Sequence, residues 1–396
     1  MKIAILTSGI LPVPAVNGGA VENHIDFYLK YNNEHKLHDM TVFSVADKKI
    51  EGHPALQSDV NHYQYIDVNS VWAKIRKKIY RLFCRNGYYH YTVGYFLWRV
   101  KKLLKKEKYD VILLENRPGY ALSIKVPEDT RLFIYLHNDF LNGKVRGCRK
   151  IYDAADRILT VSRYIAGCVK TIEPDDRKCF PVLNGIDNKA FSPSITPNIT
   201  RQQLGFTEDD FIIAFSGRVC EEKGVKELVL AIKRLKELND IKLLVIGSSF
   251  YNNARNKSDY IEEVEREAMP IKDRVIFTGF IPYKEMPDYL KISDIAVIPS
   301  LWDDPCPNTV LEAQAMGLPI ITTNRGGIPE EVTPDGAFLL KTDDSFMDNL
   351  TDSIKQLHDD VDLRKKMGEA AYKNSGYYSS IRYVEDFYKA FEVSYV

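Results

Sequence analysis

Two cations flanked by glycines, Arg218 and Lys223, are the residues of this sequence best suited to bind a polyanion. They lie in the stretch Gly217-Arg-Val-Cys-Glu-Glu-Lys-Gly224, between the apolar run 211–215 and an amphipathic run that begins at Val225. These patterns predict a buried strand followed by a helix. Arginine offers a fork to paired phosphate oxygens, lysine offers a compact charge, and a helix start adds free N–H groups. The stretch therefore predicts a diphosphate site, although such a turn can also be a solvated loop.

A second turn of the same kind follows the apolar run Ile295–Ile298. A proline-rich loop leads from this predicted strand into a short predicted helix, 308–316, which a glycine and a proline terminate. Asn308 is the predicted N-cap. The N–H groups of Thr309 and Val310 would then be free to bind an anion.

Carboxylates and further glycines complete the candidate set. Asp304 precedes the second helix and Glu312 lies within it, a spacing that chance often produces in a chain with 54 acidic residues. The information lies in the setting: a strand, a proline loop, a helix, the next strand, and then Gly326-Gly327-Ile-Pro-Glu330. Near the start of the chain, Gly18-Gly19 precedes a predicted helix, where bare backbone lets a phosphate or sugar approach closely.

The elements that would position these residues alternate between strands and helices along both halves of the chain. Short apolar strands interleaved with helices predict parallel sheets covered on both faces. A stretch rich in Pro, Ser, Thr and Asn, 188–200, is the predicted linker. We therefore expect two doubly wound domains with the ligand in the cleft between them, at the carboxyl ends of strands.

This combination of motifs resembles the family-four retaining glycosyltransferases of the GT-B fold, the group 1 enzymes with an E-x7-E motif. The resemblance rests on the four glycine-containing and acidic motifs above and covers nearly the whole chain. Family members normally carry Glu at the position of Asp304. The side chain of Asp is shorter, and this difference affects the contact with the transferred sugar that the family has at this position. The resemblance implies an α/β architecture of two Rossmann-like domains, an acceptor domain 1–190 and a donor domain 191–376. The terminal helix, 377–396, would cross back to the first domain, and packing on its own domain is the alternative.

The resemblance also implies roles for individual residues. Arg218 and Lys223 would neutralise the leaving diphosphate, Glu312 would bind the ribose and Asp304 the transferred sugar. His137, which ends a predicted strand, would position the sugar or assist charge separation, whereas a lone histidine is otherwise most often a structural interior residue. The expected catalytic residues are Arg218, Lys223, His137, Asp304 and Glu312, and the expected donor-binding residues are Gly18, Gly19, Gly217, Gly279, Ile281, Asn308, Thr309, Val310 and Glu312. Glu22 and His24 are weaker candidates for contact with either substrate.

The expected reaction moves a hexose-type sugar from a UDP- or GDP-sugar to a glycan or lipid-linked acceptor in surface-polysaccharide assembly. No cofactor and no metal ion are expected, because protein cations would neutralise the diphosphate. The only D-x-D sequence, Asp360-Val-Asp362, lies in an acidic region where a solvated helix start is the expected structure. Two alternatives remain open: a non-catalytic GT-B subunit or binding protein, and another GT-B enzyme such as a nucleotide-sugar epimerase.

Composition fits a two-domain protein of ordinary globular type. The 396 residues are 45% hydrophobic and 27% charged, with no net charge. The charge is uneven, because residues 1–190 contain 30 Lys and Arg against 20 Asp and Glu, while residues 191–396 contain 24 against 34. The six cysteines form no C-x-x-C pair, which favours reduced thiols in the cytoplasm. No apolar run approaches the ~20 residues that a membrane helix needs.

Residues 71–108 form a basic stretch with many aromatic residues. Two predicted helices each carry an apolar face and a basic face, and Glu107 is their only acidic residue. The stretch predicts contact with an anionic membrane surface or a lipid-diphosphate acceptor. Two helices that cover the sheet with basic, solvated backs are the alternative, followed by other polyanions; nucleic acid is not expected. The protein is thus expected to be cytoplasmic and peripheral at the inner face of the cytoplasmic membrane.

Overall fold

The computed structural model describes residues 1–83, 94–248 and 259–392, which form two compact units. Unit 1 comprises Met1–Leu183 together with the chain from Tyr383 onward, and unit 2 comprises Asn184–Arg382. The five cysteines in these ranges are free thiols, and Cys84 lies outside them. No helix in the described ranges is both long and apolar enough to cross a bilayer.

Unit 1 is built on a parallel sheet of seven strands: β1 (Lys2–Leu6), β2 (Asp39–Val45), β3 (Asn61–Ile66), β4 (Val111–Glu115), β5 (Arg131–Leu136), β6 (Arg157–Thr160) and β7 (Cys179–Pro181). Its helices are α1 (Ala20–His35), α2 (Val71–Phe83), α3 (Gly94–Leu104), α4 (Cys148–Ala154) and α5 (Arg163–Lys170). The strand order is β3-β2-β1-β4-β5-β6-β7. The winding direction therefore reverses between β1 and β4, and in doubly wound sheets ligands bind at the strand carboxyl ends at such a reversal.

Unit 2 has a parallel sheet of six strands: β8 (Phe211–Ser216), β9 (Ile241–Ile246), β10 (Val275–Gly279), β11 (Ile295–Ile298), β12 (Ile320–Thr323) and β13 (Ala337–Leu340). Its helices are α6 (Val225–Arg234), α7 (Asp259–Ala268), α8 (Met286–Lys291), α9 (Asn308–Ala315), α10 (Ile328–Glu331), α11 (Phe346–Asp359) and α12 (Val361–Ser375). The order β10-β9-β8-β11-β12-β13 reverses between β8 and β11. The central strands are fully buried, as their continuous apolar runs predict.

The last helix, α13 (Ser380–Glu392), packs on unit 1. The ring of Phe387 stacks on Tyr28 with centroids 4.0 Å apart, and the Tyr388 hydroxyl donates to the Tyr28 carbonyl at 2.7 Å. Arg157 donates to the carbonyl of Ala390. The prediction that the terminal helix returns to the first domain is confirmed, and the alternative, packing on its own domain, is wrong.

Both crossings between the units lie a few residues away from the predicted boundaries at 190 and 377. Residues 184–186 already belong to unit 2, because the Ile186 N–H donates to the Tyr378 carbonyl at 2.7 Å and the Ser380 N–H donates to the Ile186 carbonyl at 2.8 Å. Asn184 Nδ2 also donates to the Cys306 carbonyl at 3.2 Å. These hydrogen bonds, which no local sequence pattern contains, set the crossings at 183 and 382.

The two basic helices of unit 1 differ in what they cover. α3 buries Phe96, Leu97 and Val100, as a helix that covers a sheet should. α2 buries only Ala73 among its described side chains, whereas its large apolar residues are 46% to 76% exposed: Val71, Trp72, Ile75, Ile79 and Leu82. The tyrosines at positions 88, 89 and 91 of the basic stretch lie outside the described residues. The sheet-covering alternative therefore holds for α3 and is wrong for α2.

Candidate active site

The loop after β8 carries the two cations of the first motif. Gly217 has φ +133°, and its N–H donates to the Ile246 carbonyl at 3.0 Å. A short 3-10 turn, Glu221–Lys223, then leads through Gly224 into α6. Gly224 has φ +69°, and a Cβ there would lie 2.1 Å from the Pro299 carbonyl oxygen. The glycine is therefore required where this loop touches the loop after β11.

The second cation of this loop is paired. Lys223 Nζ forms an ion pair with Asp304 Oδ2, and the two side chains are only 15% and 7% exposed. The Asp304 carbonyl in turn accepts from the Gly327 N–H at 2.7 Å, and the Glu222 carbonyl accepts from the Leu301 N–H at 2.8 Å. Three motifs that lie far apart in the sequence thus meet in unit 2. The sequence analysis assigned Lys223 to the diphosphate and did not predict this pairing.

Arg218 keeps its charge available. Among the described residues it forms no ion pair, and its charge acts on the carboxyl group of Glu222. A hydrogen bond from the Cys220 thiol, helped by the Arg218 guanidinium, lowers the pKa of the Glu222 carboxyl. Arg218 and the Lys223–Asp304 pair therefore form one charged cluster beside the start of α6.

The helix that carries the x7 motif begins differently from the prediction. Pro307 is the N-cap, and Asn308 is the first helical residue, whose side-chain oxygen accepts from Asn184 Nδ2 at 3.1 Å. The Val310 N–H donates to the Pro307 carbonyl at 2.9 Å, so the prediction that it is free is wrong. Thr309 remains as the candidate backbone donor. It lies beside the first loop, since a Cβ at Gly217 would be 3.8 Å from Thr309 Cγ2.

Glu312 is buried within α9. Burial raises the pKa of its carboxyl to about 7, and a hydrogen bond from the Tyr283 hydroxyl favours the ionised form. Tyr283 packs against the ring of Phe191 at 5.4 Å between centroids. A buried carboxylate with a single hydroxyl donor retains acceptor capacity for a ligand. Tyr283 lies in none of the sequence motifs, and only the fold brings it next to Glu312.

Gly279 and Ile281, two of the expected donor-binding residues, lie close to the first loop. Gly279 ends β10 with φ +71° and bridges to Gly247, while Ile281 is half-buried two residues later. A Cβ at Gly247 would lie 1.9 Å from the Gly217 carbonyl oxygen. Gly247 is thus a residue of the site that the sequence analysis missed. Its position directly after the largely apolar run 242–246 could have indicated a strand-end turn.

Glu331 is a second missed residue. It is buried, and its Oε1 accepts from the Cys306 thiol at 2.7 Å, whereas Oε2 has no hydrogen-bond partner. Burial raises the pKa of the Glu331 carboxyl well above its ordinary value. The sequence analysis singled out Glu330 instead. The single turn of α10 directs the second of these two glutamates inward, and periodicity cannot show this over four residues.

Gly18 and Gly19 directly precede α1 in unit 1, with φ +73° and +111°. Gly19 is the N-cap and offers no side chain to the helix start. A Cβ at Gly19 would lie 2.3 Å from Glu22 Oε2. Burial raises the pKa of Glu22 to about 7. His24 is buried on the same helix, with Nδ1 2.7 Å from the Ala20 carbonyl oxygen.

His137 follows β5 and is held by a buried carboxylate. Its Nε2 lies 3.0 Å from Glu115 Oε2, and the Tyr28 hydroxyl donates to Glu115 Oε1 at 2.9 Å. The His137 backbone N–H donates to Asn116 Oδ1 at 3.2 Å. Glu115 is wholly buried at the end of β4 and was missed, although a glutamate that ends an apolar strand is a visible signal. The arrangement can fix the orientation and tautomer of the imidazole.

Comparison with known proteins decides the family. The family description "Glycosyl transferases group 1" matches residues 198–374, which include Arg218, Lys223, Asp304 and Glu312. YtcC of Bacillus subtilis strain 168, which is named as a glycosyltransferase, is 27% identical over 386 residues that cover 94% of this chain and 87% of YtcC. The chain is a glycosyltransferase whose residues 198–374 match the group 1 family. This match favours a glycosyltransferase over the two alternatives, a non-catalytic subunit and an epimerase.

Two further proteins resemble this glycosyltransferase. A GDP-mannose-dependent monoacylated alpha-(1-6)-phosphatidylinositol monomannoside mannosyltransferase of Corynebacterium glutamicum is 30% identical over 240 residues, covering 58% of this chain and 60% of that enzyme. The crystal structure of Anabaena HepE in complex with UDP and glucose superposes with a TM-score of 0.75 over the full length of both chains, at 16% identity. The glycosyltransferase therefore has the predicted GT-B fold with two Rossmann-like units.

Proposed function

We propose that this glycosyltransferase moves a hexose-type sugar, with retention and without a metal ion, from a UDP- or GDP-sugar to a glycan or lipid-linked acceptor in surface-polysaccharide assembly. The observation that carries the proposal is the convergence in unit 2 of Arg218, the Lys223–Asp304 pair and the start of α9. A nucleoside diphosphate needs this combination of cations and backbone donors.

The reaction follows from the charges. As the bond between the anomeric carbon and the diphosphate oxygen breaks, its electron pair passes to the phosphate. Arg218, Lys223 and the Thr309 N–H stabilise that growing charge, and cations preorganised in this way contribute a few kcal/mol each. The acceptor hydroxyl forms the new bond on the same face and gives its proton to a phosphate oxygen of the leaving group. The proposal assigns Asp304, which holds Lys223, to the binding of sugar hydroxyls.

In unit 1 the proposal assigns His137 to positioning of the reacting sugar. Glu115 contacts Nε2, so the other ring nitrogen, Nδ1, is the one proposed to contact a substrate. A hydrogen-bonded buried carboxylate also supports positive charge on the ring as charge separates.

Relatives support the substrate classes. The mannosyltransferase of C. glutamicum is named for a GDP-sugar donor and a phosphatidylinositol-linked acceptor, and Anabaena HepE was crystallised with UDP and glucose. Both descriptions name a nucleoside diphosphate together with a hexose. We therefore keep UDP and GDP as the two candidate carriers for this chain.

A donor panel tests the proposal. Purified protein is incubated with UDP- and GDP-hexoses and a cell-membrane lipid extract, with and without EDTA, and products are identified by mass. The expected result is one hexose mass added to an acceptor from one donor, unchanged by EDTA. Transfer that EDTA abolishes would refute metal independence, and no transfer or donor hydrolysis from any nucleotide sugar would refute the donor class.

Donor affinity is expected to rise with pH through neutrality. If Glu312 accepts ribose hydroxyl groups as a carboxylate, its pKa of about 7 means that the binding form is a minority at pH 6 and dominant at pH 8. Affinity for the cognate nucleoside diphosphate should then increase about tenfold over this interval. Calorimetric titration of wild type against Glu312→Gln checks this, because ionisation of the ligand itself is common to both. Parallel pH profiles for the two proteins would contradict the ribose role.

The proposal places the enzyme at an anionic membrane surface through α2. This helix exposes five large apolar residues, and Lys74, Arg76 and Lys78 are exposed on the same helix. The ring of Trp98 on α3 lies between Arg76 and Lys102, at 4.1 and 4.0 Å from their charged groups. Apolar side chains ringed by cations suit the headgroup boundary of a bilayer, where each cation contributes about 1 kcal/mol.

Vesicle binding should depend on the apolar face of α2. The triple substitution Trp72→Ser, Ile79→Ser and Leu82→Ser is expected to reduce co-sedimentation with phosphatidylglycerol vesicles at least tenfold and to leave soluble donor hydrolysis unchanged. Replacing Lys101, Lys102, Lys105 and Lys106 with Gln should weaken binding in a salt-dependent way. The matched control, Met269→Ser with Val361→Ser, removes equally exposed apolar groups from unit 2. Wild-type sedimentation by the α2 variant would exclude this helix as the contact.

A further inference from the structure

Arg117 is a buried cation that the proposed reaction has not used. It directly follows Asn116, a non-glycine residue with φ +53°, in the loop after β4. The residue is 9% exposed. It lies at the carboxyl end of the strand beside which the winding of unit 1 reverses, between β1 and β4. Ligands of doubly wound sheets bind at this position.

The charge of Arg117 is compensated only at a distance among the described residues, by the Tyr120 hydroxyl and the Glu22 carboxyl. Its Nε donates to the Ser8 carbonyl at 3.4 Å, a long hydrogen bond, and the Phe140 ring lies 6.0 Å from the guanidinium carbon. In the part of the chain that the structure describes, Arg117 takes part in no ion pair. Burial lowers the pKa of the guanidinium. Buried charges are normally paired because desolvation is costly, so an unpaired one indicates a missing counter-ion.

The nearest carboxyl group does not fill that role. Glu22 lies on the first turn of α1, and its Oε1 is bound by the Ser8 hydroxyl at 3.4 Å. Burial raises the pKa of Glu22 to about 7, so at neutral pH about half of the molecules carry no charge there. Ser8 thus joins Arg117 on one side to the start of α1 on the other.

The start of α1 adds a second source of positive potential. α1 is 16 residues long, and its N-cap Gly19 makes no side-chain capping bond. At this helix start the Glu22 carboxyl accepts a hydrogen bond from its own backbone N–H, and the remaining N–H groups and the helix dipole favour an anion. Arg117, with a fork suited to two oxygens of one phosphate, lies across Ser8 from this helix start.

We propose that Arg117 binds a phosphate group of the acceptor, so that the acceptor is a lipid-diphosphate-linked sugar rather than a neutral glycan. The inference rests on the proposed function in assigning the acceptor to unit 1. It deepens that function, because a phosphate held at the β1–β4 reversal places the adjoining sugar near His137, which follows β5, the strand next to β4.

The anion site can be measured without knowing the acceptor. Wild-type protein is saturated with UDP or GDP, whichever binds, to occupy the donor site, and inorganic pyrophosphate is then titrated while the thermal midpoint is recorded. Because a ligand of the native state stabilises it, the midpoint of wild type should rise with pyrophosphate concentration. Arg117→Gln should lose this rise. Arg146→Gln, an exposed arginine of unit 1, is the matched control and should keep it.

Stability separates a ligand site from a structural role. Arg117→Met removes a buried charge that forms no ion pair among the described residues, so its midpoint without pyrophosphate should equal or exceed that of wild type. A large loss of stability in Arg117→Met would overturn the proposal, because the arginine would then hold the fold through Ser8. An unchanged pyrophosphate response in Arg117→Gln would overturn it as well.

Kinetics separate the acceptor from the donor as the source of the phosphate. Arg117→Gln should raise KM for a diphosphate-linked acceptor at least tenfold and leave KM for the nucleotide sugar unchanged. A raised donor KM with an unchanged acceptor KM would assign the anion to the donor and refute the inference, while the proposed function would stand. Failure of wild type to use any nucleotide sugar would instead refute the proposed function, and the pyrophosphate titration would still report on Arg117.

Discussion

Replacing Lys223 with alanine is expected to lower kcat about 100-fold or more and to lower the free energy of unfolding by about 3 kcal/mol. The first effect follows because the leaving diphosphate loses a preorganised cation. The second follows because Asp304, only 7% exposed, is left as an unpaired buried carboxylate. Steady-state kinetics with the cognate donor and urea unfolding of the same preparation measure both effects.

The double variant Lys223→Ala with Asp304→Asn distinguishes the two roles of the pair. Removing the carboxylate charge should recover most of the lost stability, since a neutral amide costs less to bury. Activity should stay low, because neither the cation nor the sugar-binding carboxylate is present. A double variant that regained activity together with stability would show that Lys223 acts only in folding.

Replacing Arg218 with alanine should decrease kcat about 100-fold to 1000-fold, the effect expected when a charge-stabilising donor is lost. Stability should hardly change, because Arg218 forms no ion pair in the described residues. Arg218→Lys is expected to recover activity only partly, since an ammonium group cannot bind two oxygens as a fork does. Single-turnover kinetics at saturating donor separate this loss from weaker binding.

The matched control is Arg234→Ala on α6, which removes an exposed arginine paired with Asp348 at 2.7 Å. It should leave kcat unchanged and alter stability by less than about 1 kcal/mol, as is usual for surface pairs. Near-normal turnover of Arg218→Ala would remove Arg218 from the catalytic assignment. A comparable loss in Arg234→Ala would show that the effect is a general response of unit 2 to lost positive charge.

Local pattern was sufficient for the elements that frame the site. The strand before Gly217 and the strand before the proline loop were predicted within a residue of β8 and β11, because continuous apolar runs bounded by glycine or proline are unambiguous. The amphipathic helix that begins at Val71 was predicted within the basic stretch 71–108. What that helix covers was not predictable, since amphipathic periodicity is the same whether the apolar face meets a sheet or solvent.

Residues brought together by the strand order could be predicted only in part. Arg218, Lys223 and Asp304 were identified because each lies in a strand-to-helix turn of recognisable composition, and Glu312 because it lies in the helix that follows such a turn. Val310 was assigned a free N–H because the helix was expected to begin one residue later than it does. A shift of one residue in a cap changes which backbone groups are paired, and composition alone does not resolve it.

Local sequence patterns predicted the two sheets, the turns at their reversal points and the types of charged residue that lie there. These depend on apolar runs, glycines and prolines within a few residues of one another. The tertiary structure alone shows which groups are paired: Lys223 forms an ion pair with Asp304 and His137 contacts Glu115, whereas Arg117 forms no ion pair in the described part of the chain. Pairing depends on strand order, on the phase of each helix and on burial, and these join residues that the chain keeps tens of positions apart.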